Sequence, residues 1–453
     1  MSSEQIVVVG AGITGLSAAY DLLGAGHRVT LLEGADHTGG LAAGFRDERW
    51  EWPLEKFYHH LFTGDKAIIG LVDELGIADR LFFPRPITSV MHEGRIVPFD
   101  SPAAWFRFPG FNLLDVARFG LVSAFLRFTN PWRRLEQHIA DAWMRRWYGE
   151  KVYNLTWRPL LIGKFGPYYQ QANMAWMWAR LKVRSPRLGY FEGGFQFFVD
   201  TLTEAVRARG GEIHLRCPVQ EISPAPEEDA GRLVVRTQEV EYVADRVLAT
   251  ISPGLLRRMA PALPPGYLTQ LGELKSMGAV VMTLALRHSL MEKTYWLNIP
   301  ASSPDKQQSD LPFLALVQHT NFIDRQHYGG DHLVYCGDYV VPDHPYMQMS
   351  HGELEQLFTS HLHKVNPDFR PDWVRKSWLF RAPYAQPVPE VGHLRRIPPL
   401  RTPLPGLYFA SMSQVYPWDR GTNYAVSIGR EVGRLIADDI MGNSPSSNNR
   451  STV

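Results

Sequence analysis

Cysteine is scarce: the 453 residues hold two, Cys217 and Cys336. Two thiols exclude a disulfide scaffold and fit a reducing compartment, so a cytoplasmic location is expected. No apolar run approaches the roughly 20 residues needed to span a bilayer. The first expected strand starts at Ile6, which predicts no signal peptide ahead of it. Charge of one sign is also lacking, since 47 Lys and Arg stand against 46 Asp and Glu. That balance gives no electrostatic case for a nucleic-acid partner. There is no Gly-x-Ser-x-Gly elbow and no cysteine beside a basic motif, so no covalent nucleophile is evident. No metal-ligand spacing is visible, and no metal is expected. What remains is a chain 45% hydrophobic, long enough for a large core and two domains.

The most informative stretch is Ile6 to Gly40. Ile6 to Val9 is a short β-branched run, suited to a strand buried on both faces of a parallel sheet. Gly10, Gly12 and Gly15 then fill a GxGxxG turn. Its glycines permit a tight turn, close approach of a pyrophosphate and close helix–strand packing. Leu16 to Leu23 has helical spacing, which aims the helix N-terminus at the phosphates. A second strand, Arg28 to Leu32, ends at Glu33, 18 positions after Gly15. A carboxylate at this spacing accepts from ribose hydroxyls. The segment therefore reads as a Rossmann-like dinucleotide unit.

Glu33 is followed closely by Gly39-Gly40-Leu41-Ala42. This resembles the FAD-binding N-terminus shared by protoporphyrinogen oxidases, phytoene desaturases, monoamine oxidases and UDP-galactopyranose mutases. Many members carry arginines where this chain has Ala35 and Leu41. The Leu41 position resembles the protoporphyrinogen oxidase and desaturase branch of the amine oxidase superfamily. The resemblance implies FAD as cofactor and an α/β fold with two parts. These are a Rossmann-like FAD-binding domain with a parallel sheet, and an α+β substrate domain. The expected FAD domain is discontinuous, over residues 1–66, 189–254 and 399–441. The expected substrate domain covers 67–188 and 255–398, and the polar tail 442–453 is expected to be disordered.

The same resemblance implies further cofactor contacts. Val219 takes the place of the residue that holds the adenine edge through its backbone. Ala410-Ser411 stand where many relatives have Gly-Asp, the Asp contacting the diphosphate–ribityl region. Asn423 to Ile440 reads as the last helix, whose N-terminus points at the flavin in the family. Asp419, Arg420, Thr422 and Asn423 form a flavin-proximal loop, or a solvated turn with Thr422 as N-cap. HLFTGD, His60 to Asp65, resembles the mutase segment in which a histidine lies against the flavin. His60 is thus a catalytic candidate, with a satisfied loop histidine as the alternative. Tyr384, in RAPYAQP, and Arg420 are the other catalytic candidates. Amine oxidases commonly place a lysine on a substrate-domain strand. The best counterpart here, Gly278 to Leu286, has none, and Lys275 only precedes it, which lowers amine oxidation.

Residues 106–147 are dense in aromatics and arginines, with a helix expected over Val116 to Phe128. They read as an interfacial helix in peripheral membrane contact on the inner face, or as a helix packed on its neighbours. The overall expectation is an FAD-dependent oxidoreductase that takes a hydride from a bulky apolar substrate onto flavin N5. The substrate would be a small or lipid-like molecule. An isomerase resembling UDP-galactopyranose mutase is the first alternative, and a non-catalytic FAD-fold protein the second.

Overall fold

The computed structural model describes residues 3–305 and 308–442. The tail expected to be disordered lies outside the described residues from 443 onward.

The N-terminal run folds as its pattern dictates, into β1 (Gln5–Val9), α1 (Ile13–Gly24) and β2 (Arg28–Leu32). β1 and β2 pair in parallel from Gln5↔Arg28 to Val9↔Leu32. They belong to a five-stranded sheet ordered Glu212–His214, β2, β1, Arg246–Ala249, Leu407–Phe409, with every pairing parallel. Its strands come from three distant stretches of the chain. Ile6 and Val8 join one core and Val7 and Val9 another, so alternate side chains of β1 are buried on opposite faces, as a covered parallel sheet requires.

One face is covered by α1 and by the final helix, Thr422–Ile440. These two lie backbone against backbone. A Cβ on Gly429 would sit 2.4 Å from the carbonyl oxygen of Thr14. The other face is covered by Pro253–Met259 and Pro265–Glu273, whose Leu256 and Leu271 pack with Val7 and Val9. The helix Lys66–Glu74 buries Ile68, Leu71 and Val72 in the same core as α1. By the expected boundaries at 67 and 255, Pro265–Glu273 lies in the substrate domain and Lys66–Glu74 and Pro253–Met259 straddle its edges. Their packing instead follows the need of the parallel sheet for cover on both faces.

A second sheet of seven strands runs Val374–Pro387, Ser276–Leu286, His332–Val340, Ala315–Gln318, Thr294–Asn298, Ile87–His92, Arg95–Pro98. Its pairings are antiparallel except Thr294–Asn298 with Ile87–His92. Along Ser276–Leu286, Met277 and Ala279 face a helical layer, while Val280, Met282 and Leu284 face a separate core. The helical layer is built on aromatic side chains, Tyr148, Tyr153, Trp176 and Trp178 among them, all fully buried.

In that layer the helix Leu113–Phe128 begins one residue after Asn112, which forms a capping box with Asp115. It therefore starts three residues before the expected Val116. Val116, Phe119 and Leu126 are buried, while Leu113, Leu114, Leu121, Phe125 and Phe128 are exposed. Arg118 and Arg127 do not simply point to water. Arg118 donates to the carbonyls of Arg146 and Trp147, and Arg127 to those of Leu181, Lys182 and Arg184.

Candidate active site

At the C-terminal end of β1 the chain turns at Gly10, whose φ is +102°, a conformation open to glycine and costly for other residues. A Cβ on Gly15 would lie 2.1 Å from the Gly10 carbonyl oxygen, so the α1 start can close on β1 only with glycine there. The first bond inside the helix is Leu16 N to Gly12 O. The amides just before Leu16 therefore have no partner within the helix. Gly12 and Gly39 form an isolated parallel bridge, and Gly39 N donates to Ala11 O at 2.9 Å. The Gly39-Gly40-Leu41 turn thus lies directly beside the first glycine turn.

Glu33 is fixed between these turns. Its Oε2 accepts from Ala11 N at 2.8 Å and its Oε1 from Ala35 N at 2.9 Å. A carboxylate has about four acceptor positions, so hydroxyl donors can still be taken. Val219 is buried beside β1 and β2, in the loop after Glu212–His214. Ser411 follows the Leu407–Phe409 strand and is buried; its N–H donates to Gln414 Oε1.

Thr422 is the first residue of the final helix rather than its N-cap. Gly421 holds that place, and no side chain caps this end. Thr422 Oγ1 is buried without a hydrogen-bond partner. Asn423 has a second task, since its Oδ1 accepts from the backbone N–H of Ala67 and Ile68. It thereby caps the Lys66–Glu74 helix.

The start of the final helix opens into a cavity of about 560 Å³. Tyr58, His59 and His60 line it from one side, Trp296 and Tyr339 from the second sheet, and Lys164, Arg180 and Arg184 from the helical layer. Asp65, Asp419 and Arg420 are also in its wall. His60 sits edge-on to Phe62 and Trp296, and its Nδ1 is buried without a partner. Burial, with Arg184 and His59 nearby, pulls its ring down to about 3, so it is neutral. Burial likewise pulls His59 to about 4, and lifts the Asp65 carboxyl to about 6. Burial alone would raise Asp419, but Arg180 and Lys164 outweigh it and hold this carboxyl below the usual range. Arg180 Nη1 is 2.6 Å from Asp419 Oδ2, and Trp176 Nε1 donates to Oδ1 at 3.0 Å.

This geometry fits a bound flavin dinucleotide. A glycine cradle lies at a helix N-terminus, a fixed carboxylate beside it, and unpartnered Thr422 Oγ1 and His60 Nδ1 at the other end. The family described as flavin containing amine oxidoreductase matches residues 13–434. The chain belongs to that family.

Matches to curated relatives are short. An L-amino-acid oxidase of Bungarus fasciatus is 61% identical over 49 residues, 11% of this chain and 10% of the relative. A 15-cis-phytoene desaturase of Narcissus pseudonarcissus is 44% identical over 77 residues, 17% of this chain and 13% of the relative. The chain thus matches only about a tenth of these relatives' length. Solved structures share the fold over nearly the whole chain. A protoporphyrinogen oxidase candidate from Exiguobacterium sp. 255-15 has a TM-score of 0.73 at 20% identity, covering 97% of this chain and 100% of that one. Reduced UDP-galactopyranose mutase has 0.73 at 16%, covering 98% and 97%. Cyclohexylamine oxidase from Brevibacterium oxydans IH-35A has 0.70 at 16%, covering 97% and 100%.

The family match and the shared fold thus both run over nearly the whole chain. Among its expected site residues, His60, Arg420, Thr422 and Asn423 meet at the cavity. Tyr384 does not line it; its hydroxyl is tied to Ser413 at 2.7 Å. Gly10, Gly12, Gly15, Glu33, Gly39, Gly40 and Leu41 gather at the other end, around the two glycine turns. Lys275 is held by Gln171 and Glu390, away from the cavity wall. Among the described residues the lysine that does line the cavity is Lys164, on the helix Arg158–Phe165. The sequence carried one signal for it: a lone cation inside the apolar run LLIGKFG. Arg180 and Asp65 carried none, because each looks like an ordinary surface charge until the fold turns it inward, and Arg184 joins the wall while still exposed.

Proposed function

We propose that the protein is an FAD-dependent oxidoreductase that takes a hydride from a bulky, largely apolar substrate held in the 560 Å³ cavity. The observation that carries the reading is the cavity's composition. Phe99, Phe108, Phe119 and Trp157 form a contiguous aromatic limb of its wall, which Leu160 and the start of the final helix also line. When bound, the flavin supplies the hydride acceptor, N5. Glu33, the glycine turns and the backbone of Val219 would hold the dinucleotide, with Ser411, Thr422 and Asn423 toward the flavin. The aromatic limb excludes water and orients an apolar substrate. His59 and His60 are held neutral by burial, so each can offer an unprotonated ring nitrogen as a hydrogen-bond acceptor.

Anaerobic addition of candidate amines, porphyrinogens, polyprenoids and nucleotide sugars tests the reading. Bleaching of the oxidised flavin by one of them is expected. Turnover only by pre-reduced protein, with no net electron transfer, would overturn it in favour of an isomerase.

We also infer that the outer side of Leu113–Phe128 rests on a lipid surface. No described helix is long and apolar enough to cross a membrane. Yet among the described residues, eight of the ten large hydrophobic side chains most open to solvent lie between Phe106 and Trp147. Such a cluster marks an interaction face. Arg107, Arg133, Arg134 and Arg146 lie in the same stretch and suit an anionic surface.

A further inference from the structure

The cavity wall carries an unbalanced charge. Six cationic side chains line it, Arg85, Arg127, Lys164, Arg180, Arg184 and Arg420, against three carboxylates, Asp65, Asp100 and Asp419. Of the cations near the flavin end, Arg180 is paired with Asp419. Arg420 uses Nε on Gln386 Oε1 at 3.1 Å and lies 4.9 Å from the Tyr339 ring centroid. Lys164 is nine-tenths buried, and its Nζ faces the same Tyr339 ring at 4.3 Å. Neither Lys164 nor Arg184 has an ion-pair partner among the described residues.

A buried ammonium without a counter-charge is costly, and burial, with Arg180 and Arg420 nearby, pulls Lys164 well below the usual lysine value; an anion beside it would favour the charged form again. A cation–π contact to one ring offsets only part of that cost. Lys164 is buried, Arg420 half-buried and Arg184 exposed at the wall; with no matching carboxylates, the three leave this part of the wall positive and suited to an anion. It is not the dinucleotide's phosphate site. None of Gly10, Gly12, Gly39 or Glu33 lines this cavity, and the phosphates belong at the start of α1. A protonated amine would enter against the same charges.

The cations meet an apolar limb. Phe119 stacks on Trp157 with centroids 5.6 Å apart and 2° between planes, and Phe99 meets Phe119 edge-on at 5.7 Å. We propose that the substrate is an amphiphile whose anionic group, a phosphate or a carboxylate, is clasped by Lys164, Arg184 and Arg420 while its apolar part lies along Phe99, Phe119 and Trp157. This rests on the oxidoreductase reading above and narrows its substrate class.

Calorimetric titration of the FAD-loaded protein with four probes of equal chain length tests the proposal: octyl phosphate, octanoate, octanol and octylammonium. At least one anion should bind about tenfold tighter than octanol, the scale of one charge-assisted hydrogen bond, and octylammonium more weakly than octanol. Octyl phosphate and octanoate together show which head group is taken. Lys164→Met and Arg184→Gln should each weaken the preferred anion about tenfold and leave octanol unchanged. If Lys164→Met fails to fold, Arg184→Gln decides. Anions binding no tighter than octanol, or octylammonium binding best, would overturn the proposal, as would an undiminished anion preference in Arg184→Gln. The titration reads binding without turnover. Its failure therefore leaves a positive flavin-reduction screen standing, and a negative screen leaves an anion preference standing.

Discussion

Arg180 Nη1 meets Asp419 Oδ2 at 2.6 Å, while Trp176 and Gln386 donate to the other oxygen of the same carboxylate. The pair ties the helical layer to the loop that starts the final helix. Asp419→Asn leaves Arg180 among Lys164, Arg184 and Arg420 with its counter-charge removed. Breaking a buried pair costs up to about 5 kcal/mol. Both partners here retain some openness, at 21% and 16%, so a loss of about 2 kcal/mol is expected after screening. Arg180→Met combined with Asp419→Asn should recover part of it. A denaturant double-mutant cycle measures the coupling, and additive losses would refute the pair's importance.

Glu33→Ala should weaken FAD binding. It removes an acceptor for the cofactor and releases the amides of Ala11 and Ala35 that hold the two turns in place. A charge-assisted bond is worth roughly 1.5–3 kcal/mol, or about tenfold to a hundredfold in affinity. Fluorescence titration of the apoprotein with FAD reads the change. Unchanged affinity in a folded variant would remove Glu33 from the cofactor site.

Stability should rise between about pH 4.5 and 6. Burial holds His59, His60 and His319 at about 4, about 3 and about 3. Their folded values lie below the ordinary 6.5, so their contribution is full above pH 6.5 and is lost as pH falls toward 4. Glu55 and Asp65 lean the other way. Burial lifts them to about 7 and about 6, so their contribution is full near pH 4 and is lost as pH rises through those values. Three rings outweigh two carboxyls. His319 pairs with Tyr328 outside the cavity. His319→Gln should lower the slope of stability against pH by up to about 1.4 kcal/mol per unit. Denaturant midpoints across this range check it, and an unaltered slope would contradict the assignment.

Vesicle sedimentation tests the exposed helix. The protein should pellet with vesicles containing anionic lipid, and Leu121→Ser with Phe128→Ser should abolish most of that binding. Both side chains are more than 70% exposed, so thermal stability should change by less than about 0.5 kcal/mol. Equal pelleting of the variant would exclude this face.

The cofactor end was far more legible in sequence than the substrate end. Gly10, Gly12, Gly15 and Glu33 lie within one local βαβ unit, where spacing alone fixes geometry. β2 spans Arg28–Leu32, the bounds expected for the second strand of that unit. The cavity is assembled from Tyr58, Lys164, Trp296, Tyr339 and Arg420, brought together only by tertiary packing. No period links such residues. Thr422 was displaced from its expected cap by a single position, because Gly421 occupies the turn. Tyr384 was drawn away by Ser413, a partner 29 residues on.

Asn423 completes a helix whose first residues precede it by more than 350 positions. At about 5–20 residues per second, a ribosome delivers that cap roughly 20–70 s after Ala67 and Ile68 have been made. Until then the amides of Ala67 and Ile68 lack their side-chain acceptor, and α1 lacks the helix that carries Gly429. The earliest and latest parts of the chain therefore close on each other last, and premature termination before residue 423 leaves the nucleotide unit unsealed.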